Sequence, residues 1–301
     1  MLNLSAPEAV VFVGVVLAQA VAGVMAVVQL RESRPGCGAW PAPLVLATVV
    51  LGVGLLALRG IAIRAVPLTG LFESLVALAV VLGVLYLSLR SAIEQIWFGS
   101  VMVWVMLGMV LAAAFVTRPA ARPQDLAATP WAVGHAAAMI LASASVMFAA
   151  ANSGLYLLGS YRLKHKGIMH VLGRIPNMET LARMNRAAIR LGFVLLTAGV
   201  FAGLGLAHLD GRGIARWLTD VKVLCIVAAW VLLGVVLVLD RCGRLKARTR
   251  AYGTIVAFAL LLLAMIGVTV AGATRHRFSR EAASRPPQAR NASRIPETIP
   301  G

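Results

Sequence analysis

Acidic residues are scarce in this chain: 11 Asp and Glu stand against 28 Lys and Arg in 301 residues, a formal net charge of +17. Charge of either sign is thin, at 13% of residues, whereas a soluble domain carries about a quarter. That shortage excludes an ordinary soluble fold. The basic excess does not point to nucleic acid, because no soluble segment is long enough to form a basic domain, so no nucleic-acid partner is expected. Cysteine is equally sparse. Cys37, Cys225 and Cys242 stand apart with no CxxC spacing, which excludes a disulfide framework and a thioredoxin-like redox site. There is no glycine-rich phosphate loop and no repeat of the whole unit, and no pair of Gly- or Pro-broken helices at mid-membrane suggests a transporter.

Long apolar runs are what the chain has in quantity. It is 60% hydrophobic with a mean hydropathy of +0.88. A span needs about 20 apolar residues, and eight stretches qualify: Glu8–Gln29, Pro43–Ile63, Thr69–Leu89, Ile96–Val116, Trp131–Leu158, Ala187–Ala207, Thr219–Leu239 and Tyr252–Ala273. The expected fold is therefore all-α, a polytopic membrane helical bundle of about eight transmembrane helices. The first stretch lacks a basic leader and exceeds signal-peptide length, so it reads as a retained helix. Residues 1–278 form the membrane domain. From Ser279 the chain turns polar and proline-rich, and 279–301 reads as a disordered tail. Asn177–Arg190 reads as a short interfacial helix feeding the sixth span, with Asn177 as its N-cap and Glu179 in its first turn.

Lys and Arg set the orientation. The loop after the fifth span carries Arg162, Lys164, Lys166, Arg174, Arg183 and Arg186, and the loop after the seventh carries Arg241, Arg244, Lys246, Arg248 and Arg250. Both loops lie on one side, which is then cytoplasmic, and both termini face outward across the inner, or cytoplasmic, membrane. The arginines of the tail argue mildly the other way.

The polar loop between the sixth and seventh spans concentrates chemistry-bearing groups: His208, Asp210, Arg212, Arg216, Trp217, Asp220 and Lys222. Span counting puts His135, at the start of the fifth span, His208, at the end of the sixth, and His276, after the eighth, on one face. His165 and His170 fall on the opposite face, within a basic loop. Taken singly, His135 reads as a core histidine bonded to a neighbouring helix, His276 as a solvated interfacial residue, and His208 as a helix-end group. Together, three imidazoles beside a tryptophan suit axial ligation of haem iron, with Trp217 stacking near the porphyrin and Arg212, Arg216 or Lys222 pairing with propionates. For each cation a lipid-facing rim is an equal alternative. Asp220 also suits the first turn of the seventh span. Glu73, at the start of the third span, either orients a histidine or pairs with Arg59 or Arg64 as a structural lock, and the lock is the stronger reading.

Four segments resemble a known family. Pro67-Leu68-Thr69-Gly70-Leu71-Phe72-Glu73-Ser74 is similar to a motif that opens a span. Trp131, His135, Met139 and Ser143 are similar to a segment bearing a histidine. Leu191–Thr197 reads LGFVLLT, and Gly267-Val268 precedes His276 by about the family's interval. In order and spacing these resemble the cytochrome c assembly family, the haem-handling CcsA, ResC and CcmC group, and look closest to its HemX and YpjD branch. The resemblance implies that His135 and His276 are the two external haem-iron ligands. The family's tryptophan-rich loop corresponds to Arg212–Lys222, where Trp217, Asp220 and Lys222 remain but the other tryptophans, the proline and the glutamate do not. The tyrosine after Ser143 is absent, and Thr269 replaces an asparagine.

The resemblance implies a haem-binding integral membrane protein of cytochrome c biogenesis. It would hold or export b-type, non-covalent haem at the extracytoplasmic face through His135 and His276, with Trp217, His208, Asp220, Lys222 and Glu73 around it. The alternative is a HemX-like regulator or scaffold for haem-synthesis or assembly enzymes. Implied partners are haem, the lipid bilayer, and a ResB-like subunit, an apocytochrome c or a haem-synthesis enzyme. No catalytic residue is expected, since any haem attachment would need a partner subunit.

Overall fold

The computed structural model describes residues 4–32, 41–63, 66–68, 70–90, 96–115, 130–164, 178–209 and 220–267. Among them are eight α-helices: α1 (Ala6–Glu32), α2 (Pro41–Ile63), α3 (Leu71–Leu89), α4 (Ile96–Ala114), α5 (Pro130–Lys164), α6 (Met178–Leu209), α7 (Val221–Arg241) and α8 (Ala247–Leu262), the last continuing as a π-helical turn over Leu263–Gly267. Each apolar stretch read from the sequence falls on one helix. Seven are long and apolar enough to cross a membrane, and α4 is the shorter apolar helix, over Gly99–Ala114. The chain is a multi-pass membrane protein.

The helices form two rings of four. In the first, α1 packs on α2, α2 on α3, α3 on α4, and α4 back on α1. In the second, α5, α6, α7 and α8 close in the same way, and α5 joins the rings through α3 and α4. Small residues allow the close approaches. A Cβ at Gly83 would meet Val49 of α2 at 2.5 Å and Met106 of α4 at 2.9 Å. Without a hydrophobic drive inside lipid, such packing and hydrogen bonds between helices supply the association energy. Gln19 on α1 donates to the Val103 carbonyl of α4 at 2.8 Å, and Ser100 on α4 donates to the Ala26 carbonyl of α1 at 3.3 Å.

Polarity is distributed as a bilayer requires. Gln19, Asn152, Thr48 and Thr254 are buried inside, whereas Val10, Leu17, Val24, Val194 and Phe201 are exposed on the outside, where hydrocarbon replaces water.

One expected element is corrected. No separate interfacial helix precedes the sixth span, because α6 runs unbroken from Met178 to Leu209. METLARMNRAAIR contains neither Gly nor Pro to interrupt a helix. At about 1.5 Å per residue, a helix of 32 residues exceeds a hydrocarbon core of about 30 Å and projects beyond it. The expected cap, Asn177, lies outside the described residues, as does the tail 279–301.

Candidate functional site

The largest helix–helix contact joins α5 and α6. One row of side chains on α5, Trp131, His135, Met139 and Val146, faces glycines on α6. A Cβ at Gly205 would meet the Trp131 ring at 3.4 Å, at Gly203 the His135 ring at 3.0 Å, at Gly199 the Met139 sulfur at 2.7 Å, and at Gly192 Val146 at 2.9 Å. Residue number rises along α5 as it falls along α6, so the helices are antiparallel. The spacings on α5, four, four and then seven residues, keep these side chains on one helix face.

His135 sits in this groove, half-buried. Its Nδ1 lies 2.7 Å from the carbonyl oxygen of Gly199. A carbonyl only accepts, so Nδ1 carries the hydrogen and donates it. In the neutral ring the lone pair then resides on Nε2. This is the arrangement in which a histidine serves a metal, with one nitrogen tethered to a backbone carbonyl and the other free to ligate. The site's second element is the start of α7. The Asp220 carboxylate accepts from the Lys222 backbone N–H at 2.8 Å and caps the helix. This lets α7 begin at Val221 and carries Lys222 into electrostatic reach of His135. The α6–α7 seam is fastened deeper in the bundle. Trp230 Nε1 donates to the Thr197 hydroxyl at 2.8 Å, Thr197 donates to the Phe193 carbonyl at 2.7 Å, and the Phe193 and Trp230 rings stack at 5.9 Å.

His208 lies in the last turn of α6 and is exposed. Trp217 and His276 lie outside the described residues, as do Asp210, Arg212, Arg216, His165 and His170. Glu73 is buried at the start of α3 and engages Arg59, whose Nε donates to its Oε1 at 3.0 Å. Glu8 of α1 completes a buried cluster, 3.7 Å from the same guanidinium. Arg59 also stands 6.0 Å from the centroid of the Phe72 ring. The pairing of Glu73 with Arg59 is the structural lock weighed from the sequence. The participation of Glu8 was not read there, although an acid in the first turn of an apolar helix was the available signal. Among the described residues no group of three or more His, Cys, Asp or Glu is placed to hold a metal ion.

The family described as Cytochrome C assembly protein matches residues 68–276, more than half of the chain. The chain belongs to the cytochrome c assembly family. The match begins at Leu68, within the Glu73 segment, and ends on His276, and it takes in α5, α6 and α7 whole. Family membership gives this cytochrome c assembly protein a role in cytochrome c biogenesis. No curated protein matches it.

Proposed function

We propose that this cytochrome c assembly protein binds haem at the end of the bundle where α5 begins and α6 ends, where His135, through Nε2, and His276 are the residues that would hold the iron. The observation that carries the reading is the bond from His135 to the Gly199 carbonyl. It fixes the ring's tautomer and leaves a lone pair at Nε2. Lys222, near His135, supplies a cation for a propionate. Trp217 and His208 belong to the same end of the bundle by chain order, and Asp220 acts by seating Lys222. Iron bound here supplies the affinity for the two imidazoles. The chain's own residues orient one imidazole, supply a neighbouring positive charge, and present a groove between helices rather than a soluble cavity.

On this reading the site faces the extracytoplasmic side, both termini lie on that side, and the protein holds or passes on b-type haem within the cell membrane. Delivery to an apocytochrome c would use a ResB-like partner subunit. A second reading, a HemX-like regulator of a haem-synthesis or assembly enzyme, draws on the loop Arg212–Lys222, which keeps Trp217 but lacks the other tryptophans of haem-presenting members.

The test is the reduced absorption spectrum of the detergent-purified protein from haem-replete cells, for wild type, His135→Ala and His276→Ala. A bis-imidazole band that weakens in both variants is expected. A colourless wild type after haem supplementation overturns the proposal and leaves the regulator reading.

A further inference from the structure

A second polar locus lies at the opposite ends of the same helices. There the C-terminal part of α5, the N-terminal part of α6 and the first turn of α8 line a small cleft that is partly open to the outside. Ser153, Tyr156, Asn185, Ala247 and Arg250 are among its lining residues, and no lining residue is acidic. The whole cleft has room for about one water-sized group. A ligand would therefore insert one oxygen and leave the rest of itself outside.

Arg250 is 4% exposed, and its guanidinium engages Asp240 of α7 through Nη1. Its Nε–H is buried without an acceptor. A buried donor with no partner costs about 1–3 kcal/mol, so this position calls for an oxygen. Ser153 and Asn185 do not supply it. Asn185 donates to the Ser153 hydroxyl at 2.8 Å and to the Ala149 carbonyl at 2.9 Å, while Ser153 donates to the same carbonyl at 2.9 Å. Two further features favour an anion. The N-cap of α8, Lys246, makes no side-chain capping bond, and the first turn holds no acid, so its amide hydrogens and helix dipole are uncompensated. Arg241, Arg244, Lys246 and Arg248 are all exposed around the α7–α8 turn.

We propose that this cleft binds a phosphate group, with one phosphoryl oxygen accepting from Arg250 Nε and the remainder meeting the Tyr156 hydroxyl and the α8 amides. Donors of three kinds, a guanidinium N–H and backbone amides on α8 and a hydroxyl on α5, suit a tetrahedral oxyanion better than a planar carboxylate. The flanking helices present exposed apolar side chains, Leu158 and Tyr161 on α5 and Tyr252 on α8. A phosphate carried on acyl chains, the headgroup of an anionic phospholipid, fits that setting.

The full-length protein, purified in detergent and stripped of lipid, is titrated with dioleoylphosphatidylglycerol, with dioleoylglycerol and with inorganic phosphate. Binding is read by native mass spectrometry and by the shift in unfolding temperature. Arg250→Lys keeps a cation facing Asp240 but removes the Nε donor. Tyr156→Phe removes only a hydroxyl at a half-buried position and carries the test if the Arg250 variant does not fold. Phosphatidylglycerol is expected to bind, with each variant weakening it about tenfold, the loss of one charge-assisted hydrogen bond. Inorganic phosphate binding with the same sensitivity to the variants identifies a soluble phosphate as the source. Dioleoylglycerol binding as well as phosphatidylglycerol, or variants binding like wild type, overturns the proposal.

Discussion

The Nδ1 of His135 donates to the carbonyl oxygen of Gly199 across the α5–α6 seam, at 2.7 Å. That bond links a helix-packing feature to a chemical one. Glycines on α6 allow the approach, and the approach decides which ring nitrogen is free.

Gly203 tests the packing side of this link. A methyl group there would lie 3.0 Å from His135 Cε1 and 3.2 Å from Nδ1. Gly203→Ala is expected to rotate the ring off the Gly199 carbonyl and weaken the haem spectrum while the bundle stays folded. Gly203→Val should cost about 1–3 kcal/mol through overpacking. Thermal unfolding and absorption spectra of the same preparations check both.

Lys222 tests the electrostatic side. Lys222→Gln removes a positive charge near His135 and leaves the backbone N–H that Asp220 accepts. A nearby cation disfavours the more positive, oxidised iron, so its removal should lower the midpoint potential of bound haem. Asp220→Ala should instead destabilise the protein by about 0.5–2 kcal/mol through loss of the helix cap. A redox titration and a melting curve distinguish the two roles.

The buried charge cluster makes an ordered prediction. Arg59→Met removes the cation facing Glu8 and Glu73 and should cost about 3–5 kcal/mol. Glu73→Gln keeps an oxygen for Arg59, and its Oε2 has no hydrogen-bond partner to lose, so the cost should be smaller. Unfolding midpoints in detergent give the order, and equal losses would contradict it.

Trp230→Phe and Thr197→Val both break the 2.8 Å bond between α6 and α7. Each should cost about 0.5–1.5 kcal/mol, and the double variant should cost less than the two singles combined, because they share one interaction.

Much of the fold was legible in the sequence, and some of the site. Eight apolar stretches became eight helices because span length is a property of one segment alone. Pairing is not, which is why the Thr197–Trp230 bond and the contribution of Glu8 went unread. Glu73 was matched to Arg59 or Arg64 because charges at the ends of consecutive spans have few partners within reach, and the structure selects Arg59. Arg250 was counted only as one of several loop cations setting orientation, yet it is buried against Asp240. The signal was a carboxylate closing one span and an arginine opening the next, ten positions apart. Asp220 was read as a first-turn acid and is the cap itself, a shift of one residue at a helix end. That the glycines of the sixth span face His135 required the register between α5 and α6, which no single segment encodes.

The most direct measurement is imidazole rescue of His135→Gly, followed in the visible spectrum of the reduced, purified protein. If Nε2 of His135 holds the iron, the variant loses the bis-imidazole band and millimolar imidazole restores it. A variant whose band is intact without imidazole contradicts the account.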